Sequence, residues 1–388
     1  MLEPGEEAQQ RVDAAIDRAI AEKRIVGTVV QIAHDGKVVY RRAAGFANRE
    51  TRTHMSAERI FRLSSLTKPI VSAAAMALIE RGKLGLEDLV TRWIPDFRPK
   101  LADGREPKIT VRHLLTHTAG LGYGFAETPE GPYHRAKISD GLDESPVSLE
   151  KNVRRIASVP LLFEPGTQWR YSLAIDVLGA VLERAGSAPL AEVVSQRVTR
   201  PLGMQDTAFY CSEPTRLAVP YVDGKPEPIL MSDPAVVPFG PDAAIRFSPS
   251  RALNPHAYAA GGVGMVGTAE DFLHFLETLR KGGAPILERR SVQSMMTNQI
   301  GSLQTLRGPG LGFGFGFAVL TDPVAALTPQ SAGTIEWGGV YGHRWFVDPQ
   351  RRLSVVALTN TALEGMIGAF TQDLRDAIYV GRSPVELV

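Results

Sequence analysis

The chain has 388 residues, with 43 Lys and Arg against 42 Asp and Glu and a formal net charge of +1. That balance, with no long run of one sign, leaves nothing to attract nucleic acid or an anionic membrane surface, so the expected partner is a small molecule. The length suits two lobes sharing a large core, and the single cysteine, Cys211, excludes an intramolecular disulfide.

In chain order, the acidic start MLEPGEEAQQ has neither the basic nor the apolar region of a secretory leader. No stretch reaches the roughly 18 consecutive apolar residues of a membrane span, and the expectation is a cytoplasmic protein with no membrane partner. Residues 7–23 carry helical apolar spacing through Val12, Ala15, Ile16 and Ile20. The β-rich runs VGTVVQIAH and KVVYRRAAGF follow, joined by Asp35-Gly36, a hairpin signal because that turn needs positive φ. The far end mirrors this: HRWFVDP, a turn at Gln350-Arg351-Arg352, LSVVALTN, then an amphipathic helix from about Gly365 to Tyr379.

The middle reads as mostly helical, over 66–82, 88–94, 111–118, 148–158, 173–186 and 188–200, separated by Pro- and Gly-rich loops. The pattern predicts an α+β chain: a lobe with an antiparallel sheet from 1–62 and 231–388, flanked by the terminal helices, and a mostly helical lobe from 63–230, with the site in the cleft between them. GPGLGFGFGFAVL has glycine at alternate positions but lacks the lysine and strand-to-helix context of a phosphate loop. It reads as a strand approached closely by backbone or ligand.

The stretch SSLTKP, residues 64–69, places a serine and a lysine at the start of an apolar helix. Pro69 has no N–H and is tolerated only in a first turn, so the helix starts near Ser65 and leaves the Ser65 N–H an orphan donor at its positive end. Lys68, three residues on, shares a face with Ser65 at a Cβ separation of about 5–6 Å. The helix end and partial burial both disfavour a protonated amine, which makes Lys68 a usable base for an otherwise poor alcohol nucleophile. Serine, amine and spare backbone donor together describe acyl transfer; an N-cap serine beside a solvated lysine is the ordinary alternative.

Around this stretch stand LLTHTAGL at 114–121, Tyr171 in EPGTQWRYSLAIDVLG, PLGMQDTAF at 201–209, GGVGMVGTAEDFLHF at 261–275 and EWGGVYGH at 336–343. In this order, over about residues 10–375, the blocks resemble the serine β-lactamase and penicillin-binding-protein-like superfamily, on the branch of the family VIII carboxylesterases with a class C β-lactamase fold. The resemblance implies Ser65 as nucleophile, Lys68 and Tyr171 as a proton-transfer unit, and an oxyanion hole of the Ser65 and Val340 backbone N–H groups. It leaves open whether Lys68 or Tyr171 takes the first proton.

The chain departs from the lactamases at two motifs. Trp337-Gly338-Gly339 replaces their Lys-Thr-Gly or His-Thr-Gly, exchanging a cation for an apolar wall, and Leu173 replaces the asparagine of Tyr-x-Asn. Both changes favour uncharged esters over penicillins, with His343 and Arg344 as candidates to restore a positive group. Trp337, Gly338, Gly339 and Tyr123, the last at the position of an entrance aromatic in related esterases, are the expected substrate-binding residues.

The expected activity is a serine carboxylesterase acting on short-acyl or uncharged esters through a Ser65 acyl-enzyme, without cofactor or metal. The alternatives are acyl transfer to an alcohol acceptor, a β-lactamase or D,D-peptidase, and a binder that kept the fold without the chemistry. His113 and His117 have the i, i+4 spacing of paired metal ligands but no H-E-x-x-H glutamate, and read as structural. Thr268-x-x-Asp271 reads as a helix-start box. Glu164 and Asp176, the acids nearest Tyr171 in sequence, are assigned no role. No G-x-S-x-G occurs, which argues against an α/β-hydrolase.

Overall fold

A computed structural model describes residues 6–305 and 307–379; the outermost ends of the expected sheet lobe, 1–5 and 380–388, lie outside the described residues. Asp35 and Gly36 have φ of 51° and 87°, the two left-handed positions of a hairpin turn that matches strand twist. They join β1, Gly27–His34, to β2, Lys37–Asn48, and a short β3 follows at Thr53–His54. The sheet resumes at β4, Leu311–Phe313, β5, Ala318–Leu320, β6, Ile335–Gly339, β7, His343–Asp348, and β8, Leu353–Thr359. Its order is β4-β5-β6-β7-β8-β1-β2-β3, and each pairing is antiparallel. Both chain ends therefore meet at β1 and β8, where Thr28 faces Thr359 and His34 faces Leu353.

Alternation along β8 builds two cores from one strand. Val355 and Ala357 pack with Val30, Ile32 and Phe346 under the terminal helices Glu6–Ala21 and Ala369–Tyr379. Val356 and Leu358 face the other way, into the core shared with the helix Ala269–Arg280 and the helical region. Successive strand side chains point to opposite faces, so a strand covered on both sides reads as continuously apolar.

The helical region holds Thr67–Glu80, Val90–Trp93, Val111–Leu115, Leu149–Ala157 and Ala174–Gly186. The expected helix over 188–200 is an α-turn at Leu190–Val194 followed by a π-turn at Ser195–Thr199. The expected C-terminal helix is broken at Gly368, with Glu364–Ile367 split from Ala369–Tyr379.

The glycine-rich segment is not one strand. It forms β4 and β5 around a bend at 314–317. Its glycines do mark close backbone approach: a Cβ on Gly314 would collide with the Met295 carbonyl, and one on Gly316 with Ser72 Oγ. The bend thus lies directly against the Ser65 helix.

Candidate active site

Ser65 sits in a 3-10 turn, Ser64–Leu66, that runs into the helix Thr67–Glu80, with Pro69 in the helix's first turn. Ser64 has φ of 46°, a left-handed conformation that a non-glycine residue adopts only under constraint. The constraint is visible on both sides. Leu63 N–H donates to the Met265 carbonyl at 2.9 Å, and Met265 N–H donates to Thr67 Oγ1 at 3.1 Å, pinning the turn to the 261–267 segment. The end of β6 abuts it from the other side, since a Cβ on Gly339 would stand 2.5 Å from Ser64 Oγ and 2.8 Å from the Leu63 carbonyl.

Three sequence-distant side chains converge there. Tyr171 Oη lies 2.7 Å from Ser65 Oγ, and Lys68 Nζ lies 3.4 Å from it. Lys68 Nζ also donates to the Gly262 carbonyl at 2.8 Å and faces the Tyr171 ring at 4.5 Å. Lys68 is fully buried and Ser65 is 4% exposed, so the amine works in a desolvated setting. From β6, Trp337 Nε1–H donates to Tyr171 Oη at 3.3 Å. Gly338 and Gly339 follow on the same strand, and Val340 comes directly after it, close to the Ser64–Ser65 turn.

Tyr123 is 2% exposed and stacks on Phe125 at 4.4 Å, with its ring 5.3 Å from that of Tyr171 and 5.5 Å from Lys68 Nζ. It is buried against Tyr171 and Lys68, not exposed as an aromatic at an entrance would be. Leu173 N–H donates to the Gly122 carbonyl at 3.0 Å, which ties the Tyr123 and Tyr171 segments together.

His343 and Arg344 do not restore a cation to the cleft. The His343 Nε2–H donates to the Arg62 carbonyl at 2.8 Å, and burial lowers its pKa from 6.5 to about 4, leaving a neutral ring. Arg344 is bonded to Glu336 at 2.6 Å. Arg307 shares that glutamate at 2.9 Å and lies over the Trp337 ring at 5.0 Å. A cavity of about 380 Å³ that these three charged residues help line contains none of Ser65, Lys68 or Tyr171 and is separate from the serine site. Leu173 is fully buried in the core and offers no amide.

His113 and His117 have separate duties. The first closes a capping box with Thr110, and the Nδ1 of the second accepts from Ser172 N–H at 3.2 Å, holding the residue next to Tyr171. His117 is buried, and its pKa is pushed well below the ordinary value by desolvation and then by Lys68.

Sequence reasoning passed over Asp176. Its carboxylate is fully buried in the first turn of Ala174–Gly186, lies against the Gly262 backbone and has no side-chain hydrogen-bond partner. Gly262 places it: a Cβ there would stand 2.5 Å from Asp176 Oδ2, 3.1 Å from Tyr123 Oη and 3.3 Å from Lys68 Nζ. An acid inside the apolar run AIDVLGAVL was the available signal, but it matches no catalytic position of the family that the motifs resemble.

Comparison with known proteins identifies the lineage. The Beta-lactamase family matches residues 12–377. The chain belongs to the Beta-lactamase family. Within that family it is 53% identical to Esterase EstB of Burkholderia gladioli over 371 residues, 95% of this chain and 94% of that protein. Among solved structures, EstCE1, described as a hydrolase with promiscuous acyltransferase activity, superposes with a TM-score of 0.94 at 50% identity, covering 96% of this chain and 98% of the other. The simvastatin synthase LovD of Aspergillus terreus superposes with a TM-score of 0.75 at 22% identity, covering 96% and 98%, a likeness of fold alone. The β-lactamase and transpeptidase-like fold and the carboxylesterase branch expected from the motifs agree with these relatives.

Proposed function

We propose that the chain is a serine ester hydrolase that acylates Ser65 and deacylates with water, in a cleft between a sheet lobe, 1–62 and 231–388, and a helical lobe, 63–230. The observation that carries this is the Ser65 Oγ held 2.7 Å from Tyr171 Oη and 3.4 Å from Lys68 Nζ. A hydroxyl flanked by two proton-transfer groups is an activated nucleophile, and the similarity to Esterase EstB supports an ester as the substrate. Lys68 and Tyr171 act as one unit. The Ser65 and Val340 N–H groups serve as the oxyanion hole, a device in which each donor is typically worth about 10²- to 10³-fold in rate.

The substrate class is small, uncharged, short-acyl esters. Trp337, with Gly338 and Gly339 on the same strand, supplies apolar and backbone surface, and Tyr123 backs Tyr171 from the interior. Arg307, over the Trp337 ring, is already bonded to Glu336. Esters also need less leaving-group protonation than amides, which suits a site with a phenol and no dedicated strong acid. Nitrophenolate release from p-nitrophenyl butyrate, lost in Ser65→Ala and far exceeding nitrocefin turnover, is the expected result. Nitrocefin turnover equal to ester turnover would overturn the assignment in favour of a lactamase.

A second reading, acyl transfer to an alcohol, is favoured by one observation, the promiscuous acyltransferase activity of the similar hydrolase EstCE1. The acyl-enzyme is common to both outcomes. Adding a primary alcohol during turnover and measuring the ratio of new ester to free acid separates them.

A further inference from the structure

Alternation along β6 turns Trp337 and Gly339 toward Tyr171 and the Ser64 turn, and Glu336 and Gly338 the other way. On that second face lies the cavity of about 380 Å³, a size within the range of about 300–1,000 Å³ that small-molecule pockets occupy. Val355 and Ala357 of β8 and Leu374 of the terminal helix Ala369–Tyr379 give it a buried apolar floor. Leu327 and Ile367 also line it although they are 80% and 60% exposed, so the apolar surface continues from the floor to the mouth.

Its polar groups do not balance. Arg307, Arg344 and Arg375 line the cavity with one carboxylate, Glu336, which is 6% exposed. Glu336 Oε1 accepts from Arg344 at 2.6 Å and from Arg307 at 2.9 Å, so a single oxygen serves two guanidinium groups that carry five donors each. Arg375 donates to Asp376 at 2.9 Å, an acid outside the lining. Three cations against these two acids leave one positive charge over in the wall. Burial, then the neighbouring Arg344, lowers the Arg307 pKa to about 10, the direction expected where cations crowd a poorly solvated surface. Gln330, also in the lining, is 4% exposed; its Oε1 accepts from Thr328 Oγ1 at 3.0 Å, and its Nε2 has no hydrogen-bond partner among the described residues. A buried donor is costly until an acceptor meets it.

We propose that this cavity is a second binding site, for a small amphipathic carboxylate whose charged end meets Arg307, Arg344 and the Gln330 amide and whose apolar body lies over Val355, Ala357 and Leu374 toward the mouth. Guanidinium forks match a planar carboxylate with paired hydrogen bonds, and the apolar floor excludes a ligand that is charge alone. The proposal goes beyond the esterase reading and does not depend on it, since none of its residues belongs to the Ser65 unit. The site nonetheless backs onto the catalytic strand: Met366, in its lining, would meet a Cβ on Gly338 at 2.7 Å, and Arg307 lies over the Trp337 ring at 5.0 Å. Met366 is therefore a local reporter of occupancy.

The test is calorimetric titration of the full chain with octanoate, with octanamide and inorganic phosphate as controls for the apolar and the charged half. In parallel, methyl spectra of protein carrying ¹³C-methyl methionine follow Met366, whose signal is assigned by its loss in Met366→Leu. Octanoate is expected to bind saturably with a Kd below about 1 mM, and each control at least about tenfold more weakly. The Met366 methyl should shift with the same midpoint, in Ser65→Ala as in wild type. Arg307→Gln and Gln330→Leu should each weaken octanoate by about tenfold. Absence of saturable binding, equal affinity for octanamide, or an unmoved Met366 methyl at saturation would overturn the proposal, as would an affinity unchanged in both variants. If neither variant folds, the octanamide comparison and the Met366 shift decide in wild type. Failure of the esterase reading would leave these titrations as they are and appear instead as no nitrophenolate release by wild type.

Discussion

At the scale of single residues, the site is a set of contacts around one hydroxyl, and Trp337 shows how a motif substitution changes role. Where a lactamase-type motif has a cation for substrate, this residue gives an apolar face and one N–H, spent on Tyr171 Oη at 3.3 Å. Trp337→Phe keeps the wall and removes the donor. Its kcat on a short-chain ester is expected to fall about tenfold with KM within about twofold, the cost of one hydrogen bond that orients a proton-transfer group. A rise in KM with kcat unchanged would show that Trp337 acts through binding alone. Ser65 and Lys68 could be paired from the sequence because S-x-x-K spacing on a helix is a local property, whereas Tyr171 came only from the resemblance of its segment to the family. Asp176 was not legible, because its placement depends on Gly262, which lies far along the chain.

At the scale of elements, turn and cap chemistry made much of the chain readable. Asp35-Gly36 set the first hairpin, and Thr268 Oγ1 does accept from Asp271 N–H at 3.2 Å at the start of the helix Ala269–Arg280. The Asp271 carboxylate bonds Thr207 Oγ1 at 2.8 Å instead of reaching back to close the box, a long-range choice that spacing alone does not reveal. Thr268→Ala is expected to lower unfolding free energy by about 1 kcal/mol, read as a lower urea midpoint at constant m-value, with esterase activity per folded molecule unchanged. A lower activity per folded molecule would mean that this helix, which packs on β1 and β8, transmits strain to the site. The glycine-rich segment was misread because alternate small residues resemble a strand pattern. The bend at 314–317 is dictated by collisions with Met295 and Ser72 that no local pattern encodes.

At the scale of the whole molecule, a sheet closed by both chain ends places β6 and β7 between two cores, so groups on these strands report on global folding. His343, at the start of β7, is buried and neutral, with its pKa lowered from 6.5 to about 4. The unfolded chain binds this proton more readily than the folded one. Stability from keeping the ring neutral is therefore fully present above pH 6.5 and lost as pH falls to about 4, an effect of up to about 3 kcal/mol. The difference in unfolding free energy between wild type and His343→Gln should shrink by that order between pH 7.5 and pH 4.5 in urea titrations. A difference independent of pH would mean that His343 binds its proton equally well in the folded and unfolded chain.

The central claim, covalent catalysis by Ser65, is tested most directly by intact-protein mass spectrometry on wild type and Ser65→Ala mixed with p-nitrophenyl butyrate, followed by peptide mapping. The account predicts a butyryl adduct on the peptide carrying Ser65 in wild type, formed together with nitrophenolate release, and neither in Ser65→Ala. Nitrophenolate release by Ser65→Ala at the wild-type rate, or a butyryl group mapped to another residue, would contradict it.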